Sequence, residues 1–420
     1  MDTSPIDAGS PMPPPCPWLP DDIVVNIFGR LPAKSAGQCR CLSRAWAAKL
    51  SSDGFVDRHH RLANRRHSPR VFFLNYSFQD GPLMRAWSQD GPIGAASGMD
   101  VPGAATIRSS GNVPHTININ GSPLRLATLQ CRGLVVLEDS GTEVNYLCNP
   151  STGQMAALPH GKKEMWPYNV MHHHYTSLGL GYDVHTKRHK VVRVYYRGCD
   201  LQGLPRSAGC EVYVVNSARR WQPIREKPPA WVRYDEPSVF AQGHVHWLAQ
   251  EKVDISKDTP VERSIVSFSL ADHTFGTVAP PLGMENGSLS KHKLAELDGH
   301  LCLFSHNVSR SSCYDIWLLP EHGAHGWNLR CRIDMSKVSP GLTDRFVRCQ
   351  LCPLAITNNG RRILLVQPRI AFADNYSRLC AYDPVTGDVE DIYSGSDMVY
   401  DSFLCSIDAA VYEECIILFA

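Results

Sequence analysis

A polar turn recurs five times along this chain and limits the folds that it can adopt. The turns begin at Asn149, Asn216, Asp272, Glu321 and Asp383, and the intervals between them are similar in length. Short runs rich in Val, Ile, Leu, Phe and Tyr precede each of them, which is the punctuation of strands and turns. A period of this length corresponds to one four-stranded sheet with its loops, so the sequence predicts a β-propeller.

Strand-like segments remain at both ends of this repeat region. Residues 71–76 and 124–127 precede the first turn, and residues 403–407 and 415–419 follow the last. An open ring of blades would expose sheet edges, so we expect these end segments to share or flank a closing blade. The predicted fold is therefore mainly β, with about six blades.

The segment 18–60 differs in character, because apolar residues recur there at helical spacing. Apolar side chains three and four positions apart form a stripe that begins after Pro20 and ends at Pro32, and a second run starts near Ala33. A third helical piece covers residues 55–60. Three short helices cannot bury much apolar surface on their own, so this small all-α module is expected to need a partner. The stripe consists of Ile23, Val24, Ile27, Phe28 and Leu31.

Charge and cysteine content narrow the class of protein. The chain has 42 Lys and Arg against 41 Asp and Glu, a net charge of +1, which gives no general reason to expect nucleic acid or a membrane surface as partner. Its 15 cysteines follow no regular framework, and no signal peptide or membrane-length apolar run is evident. We expect an intracellular protein, cytoplasmic or nuclear, with reduced thiols.

These patterns divide the chain into four parts. Residues 1–17 are predicted to be a disordered, Pro-rich leader, 18–60 the helical module, 61–70 a basic linker and 71–420 the propeller-like domain. Within the last part, residues 79–121 are rich in Gly, Ser, Pro and Ala, and we expect a long mobile loop there.

The sequence offers little evidence of catalytic or metal chemistry. His172, His173 and His174 are adjacent and have no partner residues at zinc-site spacing, while Cys349 and Cys352 form half of such a site at most. The nucleophile elbow, the phosphate-binding loop and the dinucleotide fingerprint are absent. We predict no catalytic residue, no metal and no cofactor, and two buried thiols at the cysteine pair.

The helical module resembles the F-box, the docking module of substrate receptors in cullin-based ubiquitin ligases. The resemblance rests on Leu19-Pro20, on Leu31-Pro32-Ala33-Lys34-Ser35, on the stretch from Cys39 to Trp46, and on Phe55 and His59. It implies a three-helix F-box that binds the Skp adaptor and, through it, cullin. The resemblance assigns this contact to Leu19, Pro20, Ile23, Ile27, Leu31, Pro32, Leu42 and Trp46.

The repeat region resembles the F-box-associated, kelch-like domain of plant F-box proteins. The likeness rests on residues 146–153, 179–183, 239–248 and 316–317, which occur in the family's order. It implies a propeller that captures a protein substrate for ubiquitination. Two other functions stay open: a kelch-type propeller enzyme, an oxidase or hydrolase, with a helical appendage, and a Skp-bound scaffold that does not lead to degradation.

Recognition by such a propeller is expected in its loops, because packing between blades fixes the strands. The least regular segments are 79–121, 161–175, 198–209 and 251–262. Aromatic side chains near these segments are either interface anchors or blade-packing residues, and the sequence leaves both possibilities open. The predicted substrate-binding residues are Trp166, Tyr168 and Trp231.

Overall fold

A computed structural model describes most of the module and the strands of the repeat region. The described residues are 19–65, 70–77, 81–88, 107–108, 124–139, 144–161, 176–199, 205–233, 236–249, 264–281, 292–307, 313–324, 326–334, 338, 352–357, 361–367, 377–395, 409–417 and 419. The predicted leader, His172–His174 and Cys349 lie outside them. None of the described helices has the length and apolar content needed to cross a membrane.

The N-terminal module contains four short α-helices and one 3₁₀ helix, where three helices were predicted. The helices are α1 (Asp21–Phe28), α2 (Ala33–Gln38), the 3₁₀ helix (Cys39–Leu42), α3 (Arg44–Leu50) and α4 (Asp53–Ala63). The second predicted helix is divided at Ser43, whose backbone is extended and whose Oγ accepts a hydrogen bond from the Trp46 backbone N–H at 3.2 Å. Ser52 caps α4 in the same way, through the Phe55 N–H at 3.3 Å. Serine favours such caps because its hydroxyl satisfies an N–H that has no partner within the helix.

In the residues that the structure describes, the repeat region forms six four-stranded antiparallel sheets, which we number as blades 1 to 6 from the N-terminal side. Blade 1 combines β1 (Arg70–Ser77), β2 (Gly81–Ser88) and β3 (Ile107–Arg108) with the last strand, β24 (Ala409–Tyr412). Blade 2 contains β4 (Leu124–Leu126), β5 (Val135–Asp139), β6 (Asn145–Asn149) and β7 (Gln154–Ala157). Blade 3 contains β8 (Thr176–Asp183), β9 (Arg188–Cys199), β10 (Pro205–Val214) and β11 (Gln222–Ile224).

The other three blades follow in chain order. Blade 4 contains β12 (Val239–Ala241), β13 (His244–Leu248), β14 (Ile265–Ser269) and β15 (Phe275–Val278). Blade 5 contains β16 (His292–Leu297), β17 (His300–Asn307), β18 (Cys313–Leu319) and β19 (Asn328–Asp334). Blade 6 contains β20 (Cys352–Thr357), β21 (Arg362–Gln367), β22 (Ser377–Tyr382) and β23 (Val389–Gly395). The prediction of a mainly β, propeller-like domain is confirmed.

The recurring turns occupy equivalent places, between the third and fourth strands of blades 2 to 6. Asn149 and Asp383 show why these turns begin with a polar residue. The side chain Oδ1 of Asn149 accepts the Ser151 N–H at 3.1 Å, and that of Asp383 accepts the Val385 N–H at 2.9 Å. A short carboxylate or amide side chain can thus hold the backbone of a turn, which is why the period was visible in the sequence.

The ring of blades closes through its two ends. β24 pairs antiparallel with β1, from Arg70 opposite Tyr412 to Phe73 opposite Ala409. The expectation of a shared closing blade is therefore met, although by Ala409–Tyr412 instead of residues 403–407 or 415–419, the first of which lies outside the described residues. A separate apolar core fills each junction between neighbouring blades, including the junction of blade 6 with blade 1.

Strand direction gives the propeller two distinct faces. Because neighbouring strands are antiparallel, the turns after the first and third strands of a blade lie on one face, and the connections after the second and fourth lie on the other. The module packs on the first face: its Asp57 contacts Arg132 in the β4–β5 turn, and its Asp53 contacts Arg188 after the β8–β9 turn. We call this the module face and the other the open face.

Several sequence-based boundaries differ from the structure. Strands β2 and β3 lie within residues 79–121, where a single long loop was predicted. Most of the segment 198–209 belongs to the long hairpin of β9 and β10, where pairing with the neighbouring strand places Gly209 opposite Tyr195 despite the low strand propensity of glycine. Helix α4 continues to Ala63 and β1 begins at Arg70, so only residues 64–69 separate helix from strand.

Candidate functional site

The first helix presents an exposed apolar face. Ile23 and Ile27 are four residues apart, which places them on one side of α1, and Leu19 lies just before the helix; the three are 44%, 45% and 57% exposed. Leu42, in the 3₁₀ helix, is 64% exposed. Large apolar side chains clustered at this exposure are typical of a surface that binds another protein.

The opposite side of α1 forms the core of the module. Val25 is buried, and Phe28 packs edge to face against Trp46 with 5.3 Å between ring centroids. The helix therefore has two apolar sides, which the sequence showed as one wide stripe. Val25 was not among the residues predicted from the sequence. Its helical spacing resembles that of the exposed residues, so the pattern alone did not distinguish the buried side of α1 from the exposed side.

The predicted adaptor-binding residues divide into two groups. Leu31 and Trp46 are half-buried and pack against the core of the module, so in the described structure their contacts are internal. A substitution at either position is therefore expected to disturb the module itself, and adaptor contact by these two residues stays a prediction. The remaining six are exposed: Leu19, Pro20, Ile23, Ile27, Pro32 and Leu42.

A cleft of about 170 Å³, lined by both charged and apolar side chains, lies between the module and blades 2 and 3. Asp57 of the module and Arg132 of the propeller form an ion pair across the cleft, with 2.7 Å between Arg132 Nη2 and Asp57 Oδ1. The Arg132 guanidinium also lies over the Tyr182 ring, 3.9 Å from its centroid. His189 lies at the base of the cleft, 3% exposed, and its Nε2 is 3.2 Å from the Cys131 carbonyl oxygen. Burial lowers the pKa of His189 to about 3.

Of the three predicted substrate-binding aromatics, Trp231 lies within the described residues. Trp231, between β11 and β12, is half-buried and packs against the core shared by blades 3 and 4, so part of its surface has a structural role. Trp166 and Tyr168 lie outside the described residues. The strands that flank their segment in the sequence, β7 and β8, end and begin at the open face.

The described residues contain no cluster of three or more His, Cys, Asp or Glu arranged to hold a metal ion. The eleven cysteines whose side chains the structure describes are free thiols. Cys352, in β20, is half-buried, whereas burial was predicted for it.

The helical module with its exposed apolar face, followed by a propeller, defines the class of F-box proteins with a propeller domain. A family model for the F-box domain matches residues 17–58, and a family model for the F-box associated β-propeller domain matches residues 107–392. The chain belongs to this F-box associated β-propeller family, which confirms the resemblance seen in its sequence.

Relatives in Arabidopsis thaliana align with most of this chain. F-box protein At3g07870 is 25% identical over 406 residues, covering 89% of this chain and 87% of its own length. F-box protein CPR1 is 26% identical over 321 residues, covering 72% of this chain and 70% of its own. Among solved structures, the β-propeller domain of the trilobed protease from Pyrococcus furiosus has a TM-score of 0.36 at 9% identity, covering 79% of this chain and 84% of that one.

Proposed function

We propose that this protein is the substrate receptor of a Skp-cullin-F-box ubiquitin ligase. In this role the F-box binds the Skp-type adaptor, the propeller binds a protein substrate, and the charged ubiquitin carrier elsewhere in the complex performs the chemistry. The receptor contributes proximity, because holding a substrate lysine near an activated thioester raises its effective concentration. It is itself non-catalytic.

The observation that carries the proposal is the exposed side of α1. Ile23 and Ile27, and Leu19 just before the helix, present apolar surface to solvent. The buried side of α1 carries Val25 and Phe28. Burying apolar area is favourable by about 25 cal/mol per Å², so a partner that covers this side gains affinity from it. The match of residues 17–58 to the F-box family model supports a Skp-type adaptor as that partner.

The test places charge on the exposed side without touching the module core. In the full-length chain, Ile23→Asp combined with Ile27→Asp is expected to weaken binding to a purified Skp-type adaptor by at least about a hundredfold, because an unpaired carboxylate is costly to bury. Binding is measured by calorimetry. Leu31 is left unchanged because it packs against the core.

A matched control carries one carboxylate at an exposed residue on the propeller. Val385 is 82% exposed in the β22–β23 turn, and Val385→Asp is expected to leave adaptor binding unchanged. Full adaptor affinity in the Ile23 and Ile27 double variant, with its circular dichroism unaltered, would remove the proposed docking surface.

The open face is the proposed site of substrate binding, since the module occupies part of the other face. We expect Trp166→Ala combined with Tyr168→Ala to reduce labelling of substrate proteins severalfold in a proximity-labelling experiment, because aromatic anchors carry much of the affinity of protein interfaces. Val385→Ala, in a turn on the module face, is the control. Identical labelling by all three proteins would place substrate binding elsewhere.

A further inference from the structure

A short extended segment after β24 lies between the F-box and the propeller. Residues 413–417, here named the bridging segment, belong to no sheet, although the sequence predicted a strand over 415–419. From Glu414 to Ile417, the side chains contact the F-box and the propeller in alternation. Ile416 packs into the F-box core, whereas Cys415 and Ile417 pack against the core shared by blades 2 and 3.

The apolar core of the F-box includes Ile416 as an integral member. Its side chain is 2% exposed, although every other member of this core belongs to the N-terminal module at the far end of the chain. An F-box of four short helices has few buried side chains, so one isoleucine is a substantial part of its core. The buried residues around it are Val25, Ala33, Ala36, Leu50 and Phe55.

Polar groups of the bridging segment complete the ends of the F-box helices. Helix α2 has Pro32 at its N-cap and receives no side-chain hydrogen bond from it, but the Ala33 N–H donates to Glu414 Oε2 at 2.5 Å. The Asn64 amide, after α4, accepts from the Glu414 N–H at 2.7 Å and donates to the Glu414 carbonyl at 3.1 Å. Arg40 donates to the Ile416 carbonyl at 2.7 Å. The bridging segment therefore supplies partners to three separate parts of the F-box.

The propeller holds the other side of the bridging segment. Asn149 Nδ2 donates to the Cys415 carbonyl at 2.8 Å, and the Cys415 N–H donates to Ser151 Oγ at 3.1 Å. Gly133 allows the segment to approach closely: a Cβ there would lie 2.5 Å from Cys415 Cβ, and its φ is +81°. Asn149 and Ser151 belong to the third–fourth strand turn of blade 2, which is the first of the recurring turns.

We infer that the F-box of this protein is completed by the bridging segment, and that its helices stay folded only while the propeller holds that segment. Strand β24, which closes the ring, leads directly into residues 413–417, so opening of the ring displaces Ile416 from the F-box core and Glu414 from α2. If the adaptor-binding function proposed above holds, a chain with an open ring also loses its adaptor-binding surface. The structure thus couples closure of the propeller to integrity of the F-box.

Hydrogen–deuterium exchange of the full-length chain, resolved by peptide, tests this coupling without any adaptor. Ile416→Asp is expected to accelerate exchange in α2 and α3 by at least about tenfold, because it places a carboxylate in the F-box core. Ile27→Asp is the matched control: the same substitution at an exposed position of the F-box is expected to leave α2 and α3 within about twofold of the unaltered protein. The milder Ile416→Ala is measured beside them, and exchange in β13 and β17 reports on the propeller.

A second arm acts from the propeller alone. Asn149→Ala removes the anchor of the bridging segment and is expected to accelerate exchange in α2 and α3 by about threefold or more, because it frees the carbonyl partners of Asn149. Asp383→Ala removes the equivalent turn residue of blade 6, whose hydrogen bonds stay within that blade, and is expected to leave α2 and α3 unchanged.

The outcomes separate this inference from the proposed function. Unaltered protection of α2 and α3 in Ile416→Ala and Asn149→Ala, with an intact propeller, overturns the coupling whatever the adaptor does. Equal acceleration by Asn149→Ala and Asp383→Ala overturns it as well, because general destabilisation of the propeller then accounts for the effect. Conversely, failure of the unaltered protein to bind a Skp-type adaptor overturns the proposed function and leaves the coupling in place, whereas retained binding by the Ile23 and Ile27 double variant overturns only the proposed docking surface.

Discussion

Lowering the pH from 7 to 5 is expected to reduce the free energy of unfolding by several kcal/mol. Three buried histidines cause the effect: His59 in the F-box, His189 beneath the cleft and His246 in β13, which are 0%, 3% and 0% exposed. Burial lowers the pKa of His59 to about 4 and those of His189 and His246 to about 3. Nearby cationic or imidazole groups act in the same direction, including Arg132 beside His189.

The sign follows from proton binding in the two states. The unfolded chain takes up a proton on each histidine near its ordinary pKa of about 6.5, whereas the folded chain does not until the pH approaches the lowered value. The stabilisation is therefore complete above about pH 6.5 and is lost as the pH falls below it. At pH 5 each histidine costs about 2 kcal/mol, so three independent groups cost about 6 kcal/mol.

Urea unfolding at pH 7 and pH 5 measures this loss. Glu296 acts in the opposite sense, because burial raises its pKa and so favours protonation in the folded state, and it offsets part of the effect. A His246→Asn variant is the control: whatever its stability at pH 7, its loss between pH 7 and pH 5 should be smaller by about 2 kcal/mol. Equal stability of the unaltered protein at both pH values would contradict the assigned pKa shifts.

Trp247→Ala is expected to lower the free energy of unfolding by about 3 to 5 kcal/mol, because it removes a large side chain from a close-packed core. Trp247 is 1% exposed between blades 3 and 4, and its Nε1–H donates to the Leu178 carbonyl at 3.0 Å. The alanine variant leaves a cavity and removes the donor from that carbonyl.

Gly179 explains why the tryptophan fits. A Cβ at Gly179 would lie 2.5 Å from Trp247 Cζ2 and 2.5 Å from Val245 Cγ1, so β8 has no room for a side chain at this position. Gly179→Ala is expected to destabilise the protein by about 1 to 3 kcal/mol through overpacking. Thermal or urea unfolding of both variants measures the effects, and Val385→Ala, at an exposed turn, is the control. A loss below about 1 kcal/mol in Trp247→Ala would show that this core is not closely packed.

Much of the fold followed from local sequence. The polar residues at the recurring turns hold their own backbone, as at Asn149 and Asp383, so the blade period is encoded within a few residues and is readable without the structure. Helix α1 and the start of α2 lie close to the residues predicted, because Pro20 and Pro32 act locally. Ile23 and Ile27 were identified for the same reason, since their spacing alone places them on one face.

Tertiary structure decided what each apolar residue contacts. Ile27 and Leu31 are four positions apart and share a helical stripe in the sequence, yet one is 45% exposed and the other packs on the F-box core, because α1 ends between them. The alternating residues 415–419 resembled a sheet strand, since a strand and an extended segment between two domains have the same two-residue period. Which surfaces Ile416 and Cys415 contact depends on chain segments that are distant in the sequence, and no local pattern carries that information.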